Sequence, residues 1–375
     1  MMNIAFCLYK YFPFGGLQRD FLRIALACQA RGHHIRVYAM SWEGERPADF
    51  EYIQVPTRSH SNHGRNKEYS DWVTHDLQVN PADIVVGFNK MPGLDYYYAA
   101  DVCYAEKVAQ EKGFVYRLTS RYKHYAEFER AVFSNESHAE LLMLTGKQIA
   151  DFKRHYQTAP ERFHIVPPGI SLDRKYDHRP ANIREDFRQR NAIADDELLV
   201  LQVGSDFKRK GVDRTLRAIA ALPMATKAKT KLIVVGQDKP KRYQALAAKL
   251  GILSQVQFYS GRDDIPELMA AADVLMHPAY QESAGIVLIE AIAAGLPVIT
   301  TETCGYAHHV ASADCGVVIS EPFEQNQLNE VLARGLDNKK LRETWSEHAK
   351  AYADKEDLYS LPERAADLIL GGKND

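Results

Sequence analysis

The sequence predicts an α/β fold made of two doubly wound, Rossmann-like domains facing a central cleft. Three observations predict it. The chain has 375 residues, more than one ordinary core holds. Its first half alternates short apolar runs with helical patterns, and the same grammar restarts after Pro167-Pro168-Gly169. The expected boundaries are 1–166 for the first domain and 167–349 for the second, with 350–375 returning as a helix onto the first.

In chain order, Asn3 to Leu8 is an apolar strand, followed by the turn holding Gly15-Gly16 and a helix from Phe21 to Arg31. His33 to Ala39 alternates like a strand, so the segment is a βαβ unit and implies a parallel sheet. Asp83 to Phe88, Leu141 to Leu144 and Phe163 to Val166 supply further strands. The second half repeats the pattern at Leu198–Val203, Lys231–Val235, Gln255–Tyr259, Val274–His277 and Val298–Thr301. In such sheets the chemistry lies at the carboxyl ends of the strands.

Composition narrows the function classes. With 46% hydrophobic and 26% charged residues and a net charge of -2, the chain is ordinary globular material and no general nucleic-acid binder. Cys7, Cys28, Cys103, Cys304 and Cys315 are scattered without a C-x-x-C, which points to reduced thiols in the cytosol and to no zinc site. The apolar run at the N-terminus is too short for a signal peptide, and no window reaches the ~18 apolar residues of a membrane span.

The most informative stretch runs from His277 to Thr300. Gly285 to Ala294 reads as a helix that is apolar nearly all round, hence buried, with Glu290 inside it. A buried carboxylate needs a polar partner. Glu282 precedes this helix in a small-residue turn, where free amides and the helix dipole favour an anion. The ordinary reading of either glutamate, a dipole partner or a carboxylate satisfied by backbone or arginine, stays open on spacing alone. Arg209 and Lys210 follow a strand end just before Gly211, as a planar fork and a point charge suited to a diphosphate. Gly15-Gly16 opens the first helix and lets a ligand approach backbone closely, although no G-x-G-x-x-G is present.

Together these residues carry a resemblance. Gly204 to Gly211 (GSDFKRKG), the strand end at Gly236, and Glu282 to Glu290 (ESAGIVLIE) resemble the donor site of the retaining GT-B glycosyltransferases of family 4. FCLYKYFPFGGLQRDF, GFNKMPGLD, DVCYAEKVAQEKGF, QVGSDFKRKGVDR, VVGQDKP and LYSLPE are similar to the lipopolysaccharide core glucosyltransferases I of Gram-negative bacteria, over essentially the whole chain. The resemblance implies the GT-B fold, a UDP-sugar in the second domain and an inner-core heptose acceptor on the first. It implies that Arg209 and Lys210 neutralise the leaving diphosphate, assisted by amides near Ala284, Gly285 and Ile286. Glu290 is expected on the ribose, Glu282 on a sugar hydroxyl, Gly15 and Gly16 over the phosphates, and Arg174 as a further phosphate contact. Glucose is the expected sugar; another UDP-hexose or UDP-N-acetylhexosamine remains open, because the pocket around Glu282, Ser283 and Gly16 reads it.

Breaking the anomeric bond places negative charge on diphosphate, so cations there lower the barrier. No carboxylate is evident for a double displacement of the kind retaining hydrolases use, so front-face transfer is favoured. Asp101, reached from the strand end at Phe88 through the lead-out NKMPGLDYYYAAD, is a candidate catalytic and acceptor-binding residue; Asp20 is a second acceptor candidate. Because no D-x-D occurs, no metal or other cofactor is expected, the diphosphate charge falling to Arg209 and Lys210.

Lys112, Arg117, Arg121 and Lys123, interleaved with Phe114, Tyr116, Tyr122 and Tyr125 and free of acids, suit an anionic lipid surface. The expected place is therefore peripheral, on the cytoplasmic face of the inner membrane. A nucleotide-sugar epimerase, which would need no acceptor surface, and a noncatalytic nucleotide-sugar sensor compete with this reading.

Overall fold

The computed structural model describes residues 1–13 and 15–371. The chain divides into two units, Met1–Gly169 with Ser360–Asp375, and Ile170–Tyr359. The crossings thus fall at Gly169 and Tyr359. The expected return from residue 350 is corrected, because the helix Lys339–Lys355 stays in the second unit and the returning helix is Leu361–Gly371. Residues 372–375 of that expected tail lie outside the described residues.

The first unit holds strands β1 Asn3–Cys7, β2 Lys10–Tyr11, β3 His34–Ala39, β4 Ser41–Trp42, β5 Phe50–Gln54, β6 Ile84–Gly87, β7 Tyr96–Ala99, β8 Glu140–Met143 and β9 Phe163–Ile165. Seven of them form a parallel sheet in the order β5-β3-β1-β6-β7-β8-β9. The order reverses between β1 and β6, and a crevice opens at such a switch point. Successive strand residues enter opposite cores: Ile4, Phe6, Val86 and Tyr98 one face, Ala5, Cys7, Val85 and Tyr97 the other. Burial on both faces is why these strands read as unbroken apolar runs.

The helix Leu361–Gly371 completes the first core. Leu361, Ala365, Ala366 and Ile369 pack with Phe21, Ile24 and Ala25 of the helix Gly16–Ala30. Arg31 holds Asp367 at 2.8 Å beside them. Burying Leu361 and Ile369 contributes about 1.5–3 kcal/mol each, enough to fix a short helix that would fray alone.

The second unit holds β10 Leu198–Val203, β11 Thr230–Val235, β12 Val256–Tyr259, β13 Val274–His277, β14 Val298–Thr301 and β15 Gly316–Ile319. They form a parallel sheet in the order β12-β11-β10-β13-β14-β15, with its switch point between β10 and β13. Every strand expected from the sequence is present within a residue or so; β2, β4, β5, β7 and β15 are additional. The YYYA run of β7 had read as a lead-out segment, and only its burial on both faces makes it a central strand. All five cysteines are buried with free thiols. No helix among the described residues is long and apolar enough to cross a membrane.

Candidate functional site

In the second unit the switch point brings together the two segments that sequence spacing could only place far apart. After β10 the chain turns through Gly204 and Asp206, both at positive φ, into Gly211 at φ +69. A Cβ at Gly211 would lie 2.0 Å from the Pro278 carbonyl oxygen, so only glycine lets this turn dock against the segment after β13. The Tyr280 amide donates to the Arg209 carbonyl at 2.8 Å, and Arg214 reaches the Pro278 and Ala279 carbonyls from beneath.

This docking sets Arg209, Lys210 and His277 around one carboxylate. Arg209 Nη1 lies 2.9 Å from Glu282 Oε2, Lys210 Nζ donates to the same oxygen, and the His277 ring is 3.7 Å away. Burial pushes the Glu282 carboxyl up, but His277, Lys210 and Arg209 outweigh it and hold the group well below the usual carboxylate range. Burial pushes His277 down, and contact with Cys304 and Glu282 overcomes this, leaving it above the ordinary histidine value. At 3.7 Å the His277 ring lies beyond ordinary hydrogen-bond distance of Glu282, and neither ring nitrogen has a closer hydrogen-bond partner among the described residues. His277 and Cys304 are residues the sequence reading left out; an isolated histidine ending an apolar strand was their only signal.

The turn before the helix Ile286–Ala293 is pinned from below, since the Glu282 and Ala284 carbonyls accept from the Gly305 and Tyr306 amides. Gly285, at φ +89, starts the helix. Among the described residues the amides of Ala284, Gly285 and Ile286 donate to no protein group, which suits an anion. Glu290 is buried in the second turn, with Arg174 Nε 3.9 Å from its Oε1. Arg174, Arg209, Lys210, Glu282, Ala284, Gly285, Ile286 and Glu290 therefore all belong to this unit, and Arg174 is placed beside Glu290.

A cavity of about 410 Å³ in this unit lies away from these residues, at the amino end of the sheet. Its Arg184 and Arg342 donate to carbonyls at helix ends, which accounts for their presence structurally.

The first unit's candidates separate. Two cavities, about 360 and 320 Å³, share Tyr9, Asn66, Asn89 and Tyr125 as walls, at the carboxyl ends of β1 and β6. Asp101 lines the first of them. Asp20 lines neither; its carboxylate accepts from the Tyr98 hydroxyl at 2.7 Å. Gly15 caps the helix Gly16–Ala30, where a Cβ would meet the Gln18 amide, whereas a Cβ on Gly16 would meet nothing within 4 Å.

Beyond the cavity wall, Phe114, Val115 and Leu118 are 75%, 76% and 63% exposed, a contiguous apolar turn flanked by Lys112, Arg117, Arg121 and Lys123. Val115 and Leu118 went unnoticed in the sequence because only burial distinguishes a surface leucine from a core one. Tyr116 and Tyr122 pack around Tyr104, and Tyr125 lines the cavity. Glu129 fixes this region: fully buried, it accepts from Lys90, Tyr156 and the Tyr104 and Ala105 amides. No group of three metal-ligating side chains occurs among the described residues.

Residues 183–352 match the family model of glycosyl transferases group 1. Over 371 residues, 99% of both chains, the sequence is 66% identical to lipopolysaccharide glucosyltransferase WaaG of Escherichia coli (strain K12). A D-inositol 3-phosphate glycosyltransferase of Streptomyces scabiei is 35% identical over 190 residues, 48% of this chain and 42% of that one. Among solved structures, the crystal structure of WaaG, a glycosyltransferase involved in lipopolysaccharide biosynthesis, superposes with a TM-score of 0.95 at 66% identity, covering 98% of this chain and 100% of that chain. Anabaena HepE in complex with UDP-glucose shares the fold alone, with a TM-score of 0.76 at 17% identity over 99% of this chain and 100% of that chain.

Proposed function

The chain belongs to the group 1 glycosyltransferases, among the lipopolysaccharide glucosyltransferases of GT-B fold, and from that premise we propose that it moves glucose from UDP-glucose onto an inner-core heptose with retention of anomeric configuration. The observation that carries the donor reading is the convergence of Arg209 and Lys210 on Glu282 at the switch point. Without donor the two cations are neutralised internally. A diphosphate seated on the amides of Ala284, Gly285 and Ile286 takes over Arg209 and Lys210, and its charge grows as the anomeric bond breaks. Glu282, whose Oε2 carries every protein contact, offers Oε1 to a sugar hydroxyl.

In the proposed step the acceptor oxygen bonds the anomeric carbon on the face the phosphate leaves. The hydroxyl proton passes to the departing phosphate oxygen, and UDP carries away the bonding electrons. Glu290, held near Arg174, takes the ribose hydroxyls, while Arg174 adds positive charge toward the phosphates. Gly15 and Gly16 approach the phosphates with backbone, the open space at Gly16 being consistent with this. Asp101 takes an acceptor hydroxyl in its cavity. Arg209 and Lys210 meet the charge that a divalent ion would otherwise meet, so transfer is expected to persist in excess chelator.

Binding to anionic lipid at the cytoplasmic face of the inner membrane is part of the same proposal. Its support is the exposed Phe114, Val115 and Leu118 among four cations. The test of the reaction is a donor screen with purified protein, heptose-terminated lipopolysaccharide, chelator and each common UDP-sugar in turn. Transfer from UDP-glucose with the α-configuration kept is the expected result. Transfer only from UDP-galactose or a UDP-N-acetylhexosamine would overturn the donor, and inversion would overturn the mechanism.

A further inference from the structure

The two cavities of the first unit differ in charge. Asp101 and the Lys90–Glu129 pair stand at the first, with Lys107 at its rim. The second is lined by Lys10 and Arg65 and by no carboxylate. Neither cation forms an ion pair among the described residues; Arg65 donates only to the Asn62 side chain, at 2.5 Å. Between the lobes stands Asn66, 8% exposed, whose amide has no protein partner. That amide opens to the cavity, where a ligand can take its hydrogen bonds. Asn89 is pre-aimed, its Oδ1 held by the Tyr9 amide at 2.7 Å and its NH2 left for a ligand. The Tyr9 and Tyr125 rings offer the flat apolar surfaces that sugar rings cover.

We propose that these lobes form one two-part acceptor subsite: the reacting sugar occupies the Asp101 lobe, and an anionic group on a neighbouring sugar, a carboxylate or a phosphate, occupies the lobe of Lys10, Arg65 and Asn66. The inference rests on the acceptor reading of Asp101 given above. Two cations lining a concavity without acids set a positive potential on whatever enters. Arg65 offers a fork and Lys10 a point charge, while Asn66 and Asn89 donate neutral hydrogen bonds that fix orientation. Acceptor selection is then electrostatic in one lobe and a matter of hydroxyl geometry in the other.

The test separates this inference from the reaction itself. Deacylated heptose-terminated core oligosaccharide is titrated by calorimetry into wild-type protein, Lys10→Gln/Arg65→Gln and Asn66→Asp, at low and high salt. Each titration is repeated after removal of phosphates with aqueous hydrogen fluoride, or of carboxylates by carbodiimide and borohydride reduction. The expected result is about tenfold weaker binding by the double variant, with a shallower salt dependence. Removing whichever anion fills the lobe weakens wild-type binding equally and leaves the double variant unmoved. Asn66→Asp, nearly isosteric, loses at least as much because its charge repels the ligand. UDP affinity stays unchanged in all three proteins. Equal oligosaccharide binding by all three would overturn the inference, as would weakened UDP binding, which would assign the lobe to the donor diphosphate. Absence of transfer alongside intact, charge-dependent oligosaccharide binding would count against the proposed reaction and leave the subsite standing.

Discussion

Replacing Lys210 with Met tests the electrostatics on which the donor site depends. The Lys210 and Glu282 side chains are 11% and 10% exposed, so both charges are largely out of water. Stripping a buried ion of its only partner costs about 3–5 kcal/mol. Here Arg209 remains at 2.9 Å and His277 at 3.7 Å, so the expected loss falls to about 2 kcal/mol. Lys210→Met/Glu282→Gln removes both charges and should recover at least about 1 kcal/mol of that loss, a coupling a double-mutant cycle resolves. Because the chain has two units, the readout must belong to the second. Trp345 is buried there, and Trp42→Phe/Trp72→Phe leaves it as the only tryptophan reporter during urea unfolding. In the same protein kcat should fall about 100-fold to 1000-fold, because the cation is needed most when the diphosphate departs. Stability equal to wild type with no coupling in the cycle would refute a charged, cation-held Glu282.

Three further outcomes follow from the same geometry. The Glu282 carboxyl lies below its unfolded value of about 4.5, so its stabilisation is present above that pH and is lost as pH falls through the folded value. The stability gap between wild type and Glu282→Gln should therefore hold from about pH 6.5 down to about 4.5 and shrink below, while the His277 share of it is lost as pH rises through the raised folded value of that ring; a gap closing as pH falls from about 6.5 to 5 would mean the carboxyl is raised instead. Changing Lys112, Arg117, Arg121 and Lys123 to Glu should abolish sedimentation with anionic vesicles while sparing hydrolysis of UDP-glucose, each cation contributing about 1 kcal/mol near such a surface. Unchanged sedimentation would remove the lipid reading. Asp101→Asn should lower transfer about 10-fold to 100-fold with UDP affinity unchanged, and full turnover would take Asp101 out of the acceptor site.

The sequence by itself determined the fold class, because strands buried on both faces must be apolar throughout, and such runs at Asn3–Cys7, Leu198–Val203 and Val274–His277 are visible without coordinates. It also singled out the residues of the proposed donor site. Glu282 and Glu290 flank the start of one helix, and Arg209 and Lys210 must stay beside a glycine that alone fits its turn. Tertiary structure decided how those residues relate. That Arg209 and Lys210 spend their charge on Glu282 depends on β10 and β13 being neighbours, a pairing across more than seventy residues of chain that no local pattern encodes. Strand β7 was missed for a similar reason, since three tyrosines carry no period that separates a central strand from a loop. The surroundings of Tyr125, Val115, Leu118 and Asn66 were likewise decided by packing. Whether a ring faces a cavity, an apolar side chain faces water, or an amide lacks a partner is a property of the surroundings. Side-chain identity fixes which interactions a residue is capable of, and only the packed chain fixes which of them it makes.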